Sequence, residues 1–187
     1  DFDGRIEGPV ECPNCRDQDF AFEFARPALR RSPGAMTLIQ DFKYRRRLEL
    51  GRELARLTLR AFDDPRLDGP RRDGWPLVPV PLHRRRLRWR HFNQALEIAR
   101  PLGRLTGLPV APLLRRVRPT TTQTRLTRAQ RQTNLRGAFE ASGPMAAAAG
   151  AILVDDVLTT GSTVHECARV LKRRGVQNVI VVTVMRG

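Results

Sequence analysis

The spacing of apolar and polar positions changes character along the chain. Up to about residue 35 it is irregular, with one short alternating run, "FAFEF", of the kind that forms a strand. "MTLIQDFKY" and then "RRLELGRELARLTLRAF" carry helical spacing, with Leu48, Leu54 or Ala55, and Leu59 or Phe62 on one stripe. "DDPRLDGPRRDG" is dense in Asp, Gly and Pro and predicts a linker or long loop. From Trp75 onward short apolar runs alternate with amphipathic segments. "PLVPVP" predicts a buried strand, and "NQALEIARPLGRLTG" a helix capped by Asn93 that Pro101 should kink or shorten. "LPVAPLL" is the next expected strand, residues 115–136 a long polar loop, and "GAFEA" another strand. Ala146 to Ala149 read as a surface loop, and "AAILVDD" as a strand buried on both faces. "TVHECARVLKRRG" is a helix stopped by Gly175, and "NVIVVTVM" a final buried strand. This order predicts an α/β fold: a parallel sheet with right-handed crossovers, taking ligands at the carboxyl ends of its strands.

One such end carries "VDDVLTTGST". Ala151 to Val154 are expected to form the strand, with Asp155 and Asp156 at its tip and a turn over Thr159–Thr163 that opens a helix near Ser162. Amide N–H groups at a helix start carry partial positive charge and bind phosphate. Gly161 lets a ligand approach the backbone, and Thr159, Thr160, Ser162 and Thr163 add hydroxyl donors. The chain has no G-x-x-x-x-G-K-[ST] run, which argues against an NTPase phosphate loop. The two carboxylates must face another part of the same ligand, and vicinal sugar hydroxyls or a hydrated Mg²⁺ suit them. A ribose 5-phosphate bearing a pyrophosphate has all of these parts.

Charge sharpens the picture. The formal net charge is +15, and residues 74–136 alone hold fourteen arginines against one acid, Glu97. Such a segment attracts polyanions, although a solvated surface accounts for any single arginine about as well. Only two of the 34 basic residues are lysine. Three cysteines make no disulfide framework and point to a reducing cytoplasm. No apolar run is long enough to span a membrane. The start, "DFDGRIEGPV", is not a signal peptide, and the chain is expected to be the interior of a longer one.

"ILVDDVLTTGST" resembles the phosphoribosyl-pyrophosphate (PRPP) loop of type I phosphoribosyltransferases. The resemblance narrows through "VPVPLHRRRLRWRHFNQA" and "QTRLTRAQRQTNLRGAF" to the ComF family of competence-associated proteins, with "FKYRRR" fitting its helical lead-in. It implies a type I phosphoribosyltransferase-like sheet flanked by helices over residues 74–187, a helical lead-in and linker over 36–73, and an N-terminal extension over 1–35. It implies that Asp155 and Asp156 bind the ribose, and that Thr159, Thr160, Gly161, Ser162 and Thr163 bind the 5-phosphate. Arg84, Arg85 and Arg86 follow a strand where the related enzymes place a pyrophosphate loop. Gln123, Arg131 and Asn134 match a loop over the pocket, as ligand contacts or as loop-bracing groups. Mg²⁺ is expected with PRPP. The extension keeps only Cys12 and Cys15, half of a tetrahedral Zn²⁺ site, and Cys167 reads as a core residue. His91 stands where the family has glycine; at positive φ it would be strained, and a turn residue is the safer reading than a base.

The family implies handling of single-stranded DNA during uptake and natural transformation, beside an ATP-driven translocase. The alternative is a nucleobase phosphoribosyltransferase that releases pyrophosphate from PRPP. Within the basic segment and just beyond it, ring residues besides histidine are limited to Trp75, Trp89, Phe92 and Phe139, so stacking on bases is not expected to dominate.

Overall fold

The computed structural model describes residues 19–119, 134–143 and 148–187. Among them, strands and helices follow in the order β1 (Phe24–Leu29), α1 (Pro33–Tyr44), α2 (Leu50–Leu59), α3 (Asp68–Arg72), β2 (Leu77–Pro79), α4 (Arg84–Arg90), α5 (Gln94–Thr106), β3 (Leu114–Arg116), β4 (Phe139–Ala141), β5 (Ala148–Leu158), α6 (Ser162–Arg173) and β6 (Val176–Arg186). β1, β6, β5 and β2 lie side by side in a parallel four-stranded sheet flanked by helices, as the resemblance implies.

The long apolar runs of β5 and β6 follow from burial on both faces. Alternate side chains enter two cores. Ile152, Val154, Ile180 and Val182 join Phe42, Leu54, Ile98 and Leu102 from α1, α2 and α5. Ala151, Leu153, Val179 and Val181 join Val164, Cys167 and Leu171 from α6. Each fully buried Leu or Ile stabilises the fold by roughly 1.5–3 kcal/mol, and β5 therefore sits as the rigid centre from which the acidic pair is presented. Cys167 is fully buried, as expected of a core residue.

Local signals place the helix ends. Asn93 caps α5, its side chain accepting from the Ala95 amide. Ser32 does the same for α1 from the Ala35 amide. Pro101 does not shorten α5, which runs to Thr106 and ends at Gly107 in the left-handed region. Gly175 follows α6 at φ +93.

Three local expectations need correction. Residues 63–73 are not a free linker: two 3-10 turns, Arg60–Asp63 and Pro65–Leu67, lead into α3. Leu67 is buried in the core, and Asp64 accepts from the Arg66 backbone and guanidinium. "LPVAPLL" forms no strand of the main sheet; Val110 makes an isolated bridge to Leu77. Pro109 and Pro112 lack the N–H groups a ladder needs. Its last residue begins β3 instead, which pairs antiparallel with β4. Third, β5 continues past Val154 to Leu158, so Asp155 and Asp156 lie within the strand rather than at its tip. Among the described residues no helix is long and apolar enough to cross a membrane.

Candidate functional site

β5 leads through Thr159 and Thr160 into α6, and Gly161 makes the bend, at φ +77, as the helix N-cap. A side chain at Gly161 would be strained at that φ, and its Cβ would stand 3.1 Å from the Phe20 ring. The hydroxyls of Thr160 and Ser162 are hydrogen-bonded at 2.9 Å, and the His165 amide donates to the Gly161 carbonyl to close the first turn. Thr159 is exposed, Thr160 and Thr163 are half-buried, and Ser162 is buried. A cleft of ≈ 450 Å³ opens beside the bend, lined by Phe20, Phe22, Phe24, Leu158, Thr160 and Gly161 among others. It touches the loop but not the two acids, so it borders the candidate phosphate cradle rather than containing the whole site.

Asp156 is buried and ion-paired with Lys43, which stands in the last turn of α1. Burial works to raise the Asp156 carboxyl; the Lys43 ammonium and, further off, Arg90 outweigh it and hold the carboxyl below its ordinary value. Asp155 behaves oppositely. Burial and then the neighbouring charge of Asp156 push it well above the usual carboxylate range, although its Oδ1 accepts from the Asp156 amide at 2.9 Å. The pair therefore holds a proton on Asp155 more readily than an isolated aspartate would. Two adjacent acids with contrasting proton affinities form a site that gains from a hydroxyl donor or a cation.

Arginines complete the surroundings. Arg90, at the end of α4, is buried, donates to the Gln94 side-chain carbonyl at 2.8 Å, and has its guanidinium 5.6 Å from the Tyr44 ring centre. Burial lowers its pKa, against the attraction of Asp156, Tyr44 and Asp155. Its Nε is buried and lacks a hydrogen-bond partner among the described residues. Arg116 on β3 is likewise lowered by burial and by the nearby charge of Arg86. The three expected polyanion residues separate in space: Arg84 and Arg85 are exposed on α4, while Arg86 is half-buried and its charge reaches both Arg90 and Arg116.

His91 caps α4 in the left-handed region, at φ 72, and is exposed, which agrees with the reading of a turn residue at a glycine-like position. Asn134 is half-buried at the edge of the described residues; Gln123 and Arg131 lie outside them. Arg118 donates to the Arg136 carbonyl across the base of that segment, and Glu166 on α6 accepts from the Gly137 amide. Cys12 and Cys15 also lie outside the described residues. Among the described residues no cluster of three or more His, Cys, Asp or Glu side chains suited to a metal ion occurs.

Lys43 and Arg90 are the residues the sequence did not assign. Both lie in quoted motifs, Lys43 in "FKYRRR" and Arg90 at the head of "RHFNQA", yet only the fold brings them to the acids.

Residues 107–187 match the phosphoribosyl transferase domain family, a range that includes β5, the Gly161 bend and α6. The chain is 38% identical over 155 residues to DNA utilization protein YhgH of Salmonella typhi, covering 80% of this chain and 66% of that protein. It is 35% identical over 150 residues to Competence protein F of Haemophilus influenzae, covering 77% and 64%. DNA utilization protein YhgH of Escherichia coli K12 is 37% identical over 149 residues, covering 77% and 63%. The chain thus spans a little under two thirds of the length of these relatives.

Proposed function

Because the chain belongs to the family of Competence protein F and the DNA utilization proteins, we propose that it binds PRPP, or a related phosphoribosyl ligand, and handles single-stranded DNA in the cytoplasm during uptake and transformation. The observation that carries the ligand assignment is the continuity of Asp155 and Asp156 on β5 with the Gly161 bend that opens α6. A phosphate on the amides and hydroxyls of Thr159–Thr163 places a pentose toward the two carboxyls. Asp155, whose carboxyl burial and the Asp156 charge push upward, accepts from a ribose hydroxyl in its ionised form, its proton passing to solvent. Lys43 holds Asp156 ionised for the same purpose.

Mg²⁺ fits the oxygen donors of Asp155 and Asp156, because adjacent hard carboxylate oxygens suit a hydrated cation. When bound with a pyrophosphate, it supplies charge neutralisation there. On the protein side Arg86, Arg90 and Arg116 supply positive charge near the acids, and Arg84 and Arg85 extend it outward. A DNA-uptake translocase is the protein partner that the ComF resemblance implies.

Calorimetric titration with PRPP and Mg²⁺ tests the reading. Wild type should bind, D155A and D156A should not, and all three should retain the same affinity for a single-stranded oligonucleotide. Equal PRPP binding by the variants would overturn the site assignment. Pyrophosphate release in a screen of nucleobases would move the reading to the alternative of a nucleobase phosphoribosyltransferase.

A further inference from the structure

Large aromatic side chains are normally buried or paired with a partner surface. Tyr44 and Trp89 break that pattern together. Tyr44 closes α1 and is 61% exposed; Trp89 lies on α4 and is 56% exposed. They are 45 positions apart in sequence, yet their ring centres lie 6.2 Å apart at an interplanar angle of 62°. The rings meet edge to face and form an open step, each residue more than half exposed.

The step is held from both sides. Arg46 Nη2 donates to the Trp89 carbonyl at 2.7 Å, fastening the α1 end to α4. Buried Arg90 stands over Tyr44 from within. The two non-glycine residues with positive φ among those described are Arg46, at 57, and His91, at 72. Each follows one of the rings by two positions. Such conformations persist only where the surrounding structure fixes them, and they concentrate at binding sites.

The helix that carries Trp89 is basic. Arg84, Arg85 and Arg88 are exposed on its seven residues, Arg85 one turn before Trp89, and among the described residues no carboxylate is ion-paired with them. Exposed rings interleaved with free guanidinium groups match a single strand of nucleic acid, whose unpaired bases stack while its phosphates meet arginine. A duplex keeps its base faces covered, and an apolar protein partner gains nothing from three uncompensated charges.

We propose that Tyr44 and Trp89 form a stacking step for a base of a single-stranded polynucleotide, with Arg84, Arg85 and Arg88 binding its phosphates. This rests on the reading that the protein handles single-stranded DNA, and gives that activity a place: beside the acidic pair, linked to it through Lys43 and Arg90.

Fluorescence anisotropy with a labelled twelve-thymidine oligonucleotide, and with an abasic strand of equal length, tests the step. Wild type should bind the thymidine strand about tenfold more tightly than the abasic one. W89A and Y44A should each lose about that factor on the thymidine strand and little on the abasic strand, with W89F within about threefold of wild type. The combined R84A/R85A/R88A variant should flatten the salt dependence by roughly 0.7 in logarithmic slope for each phosphate no longer neutralised. Unchanged affinity in W89A and Y44A, or equal binding of the abasic strand by wild type, overturns the step while leaving DNA handling in place. Binding of PRPP but of neither strand overturns both DNA handling and the step, and spares the phosphoribosyl assignment. Competition by thymidine monophosphate as effective as that by the strand also overturns the proposal, by making the step a mononucleotide site.

Discussion

Lys43 and Asp156 are 113 positions apart and form an ion pair in which the aspartate is buried within β5 and the lysine half-buried against it. The contact joins α1 to β5 and sets the two aspartates apart: one is held ionised, the other is left to bear the charge repulsion of the pair. Lys43 is one of two lysines in an otherwise arginine-rich chain. A compact ammonium at this place gives a single-point contact rather than an arginine fork.

Removing that ammonium leaves Asp156 buried without its nearest counter-charge, Arg90 lying further off. K43M is expected to lose about 3 kcal/mol of stability at neutral pH, since breaking one side of a buried pair exposes the desolvation cost of the other. A carboxyl whose folded pKa is depressed stabilises the fold above its unfolded value and loses that contribution as pH falls through the folded value. The deficit of K43M relative to wild type should therefore shrink in acid, as measured by urea unfolding across pH.

Asp155 has the opposite sign. Its folded pKa is raised, so the fold is favoured below the ordinary carboxylate value and weakened as pH rises through the raised one. D155N removes that penalty. It should raise the thermal midpoint at pH 8 by roughly 3 °C, equivalent to about 1 kcal/mol for a chain of this size, and have little effect in acid. Scanning calorimetry of the two proteins checks this. The same substitution should abolish PRPP binding, a gain in stability obtained by giving up a charge the ligand needs.

The bend tolerates little. G161A places a Cβ at φ +77 and against Phe20, and should cost about 2 kcal/mol. Pairing it with F20A should recover the part due to the ring contact and leave the part due to backbone strain, which a double-mutant cycle in denaturant measures.

His91 offers a contrasting test. Its left-handed backbone carries strain that glycine lacks, and its side chain is exposed. H91G should be more stable by roughly 0.5–1 kcal/mol in urea unfolding. Retained PRPP binding would agree with a turn role, whereas its loss would assign the imidazole to the site.

Much of this architecture was legible because periodicity and capping are local. The continuous apolar runs of β5 and β6, the Asn93 cap and the Gly161 bend each declare themselves within a few residues. The rest depended on contacts between distant segments. Asp, Gly and Pro around residue 67 predict a loop, yet Leu67 is drawn into the core and Asp64 organises the turn through Arg66. The β3–β4 ribbon needs pairing between Leu114 and Ala141, which no local pattern announces. Counting rings within the basic segment alone also missed Tyr44, which lies outside it and meets Trp89 only after α1 and α4 pack.

The central claim is that the twin acids and the bend hold one phosphoribosyl group. A crystal structure with PRPP and Mg²⁺ tests it most directly. Ribose hydroxyls are expected within hydrogen-bonding distance of Asp155 and Asp156, and the 5-phosphate on the amides of the Thr159–Thr163 bend. A ligand seated elsewhere, with the acids and the bend untouched, would contradict it.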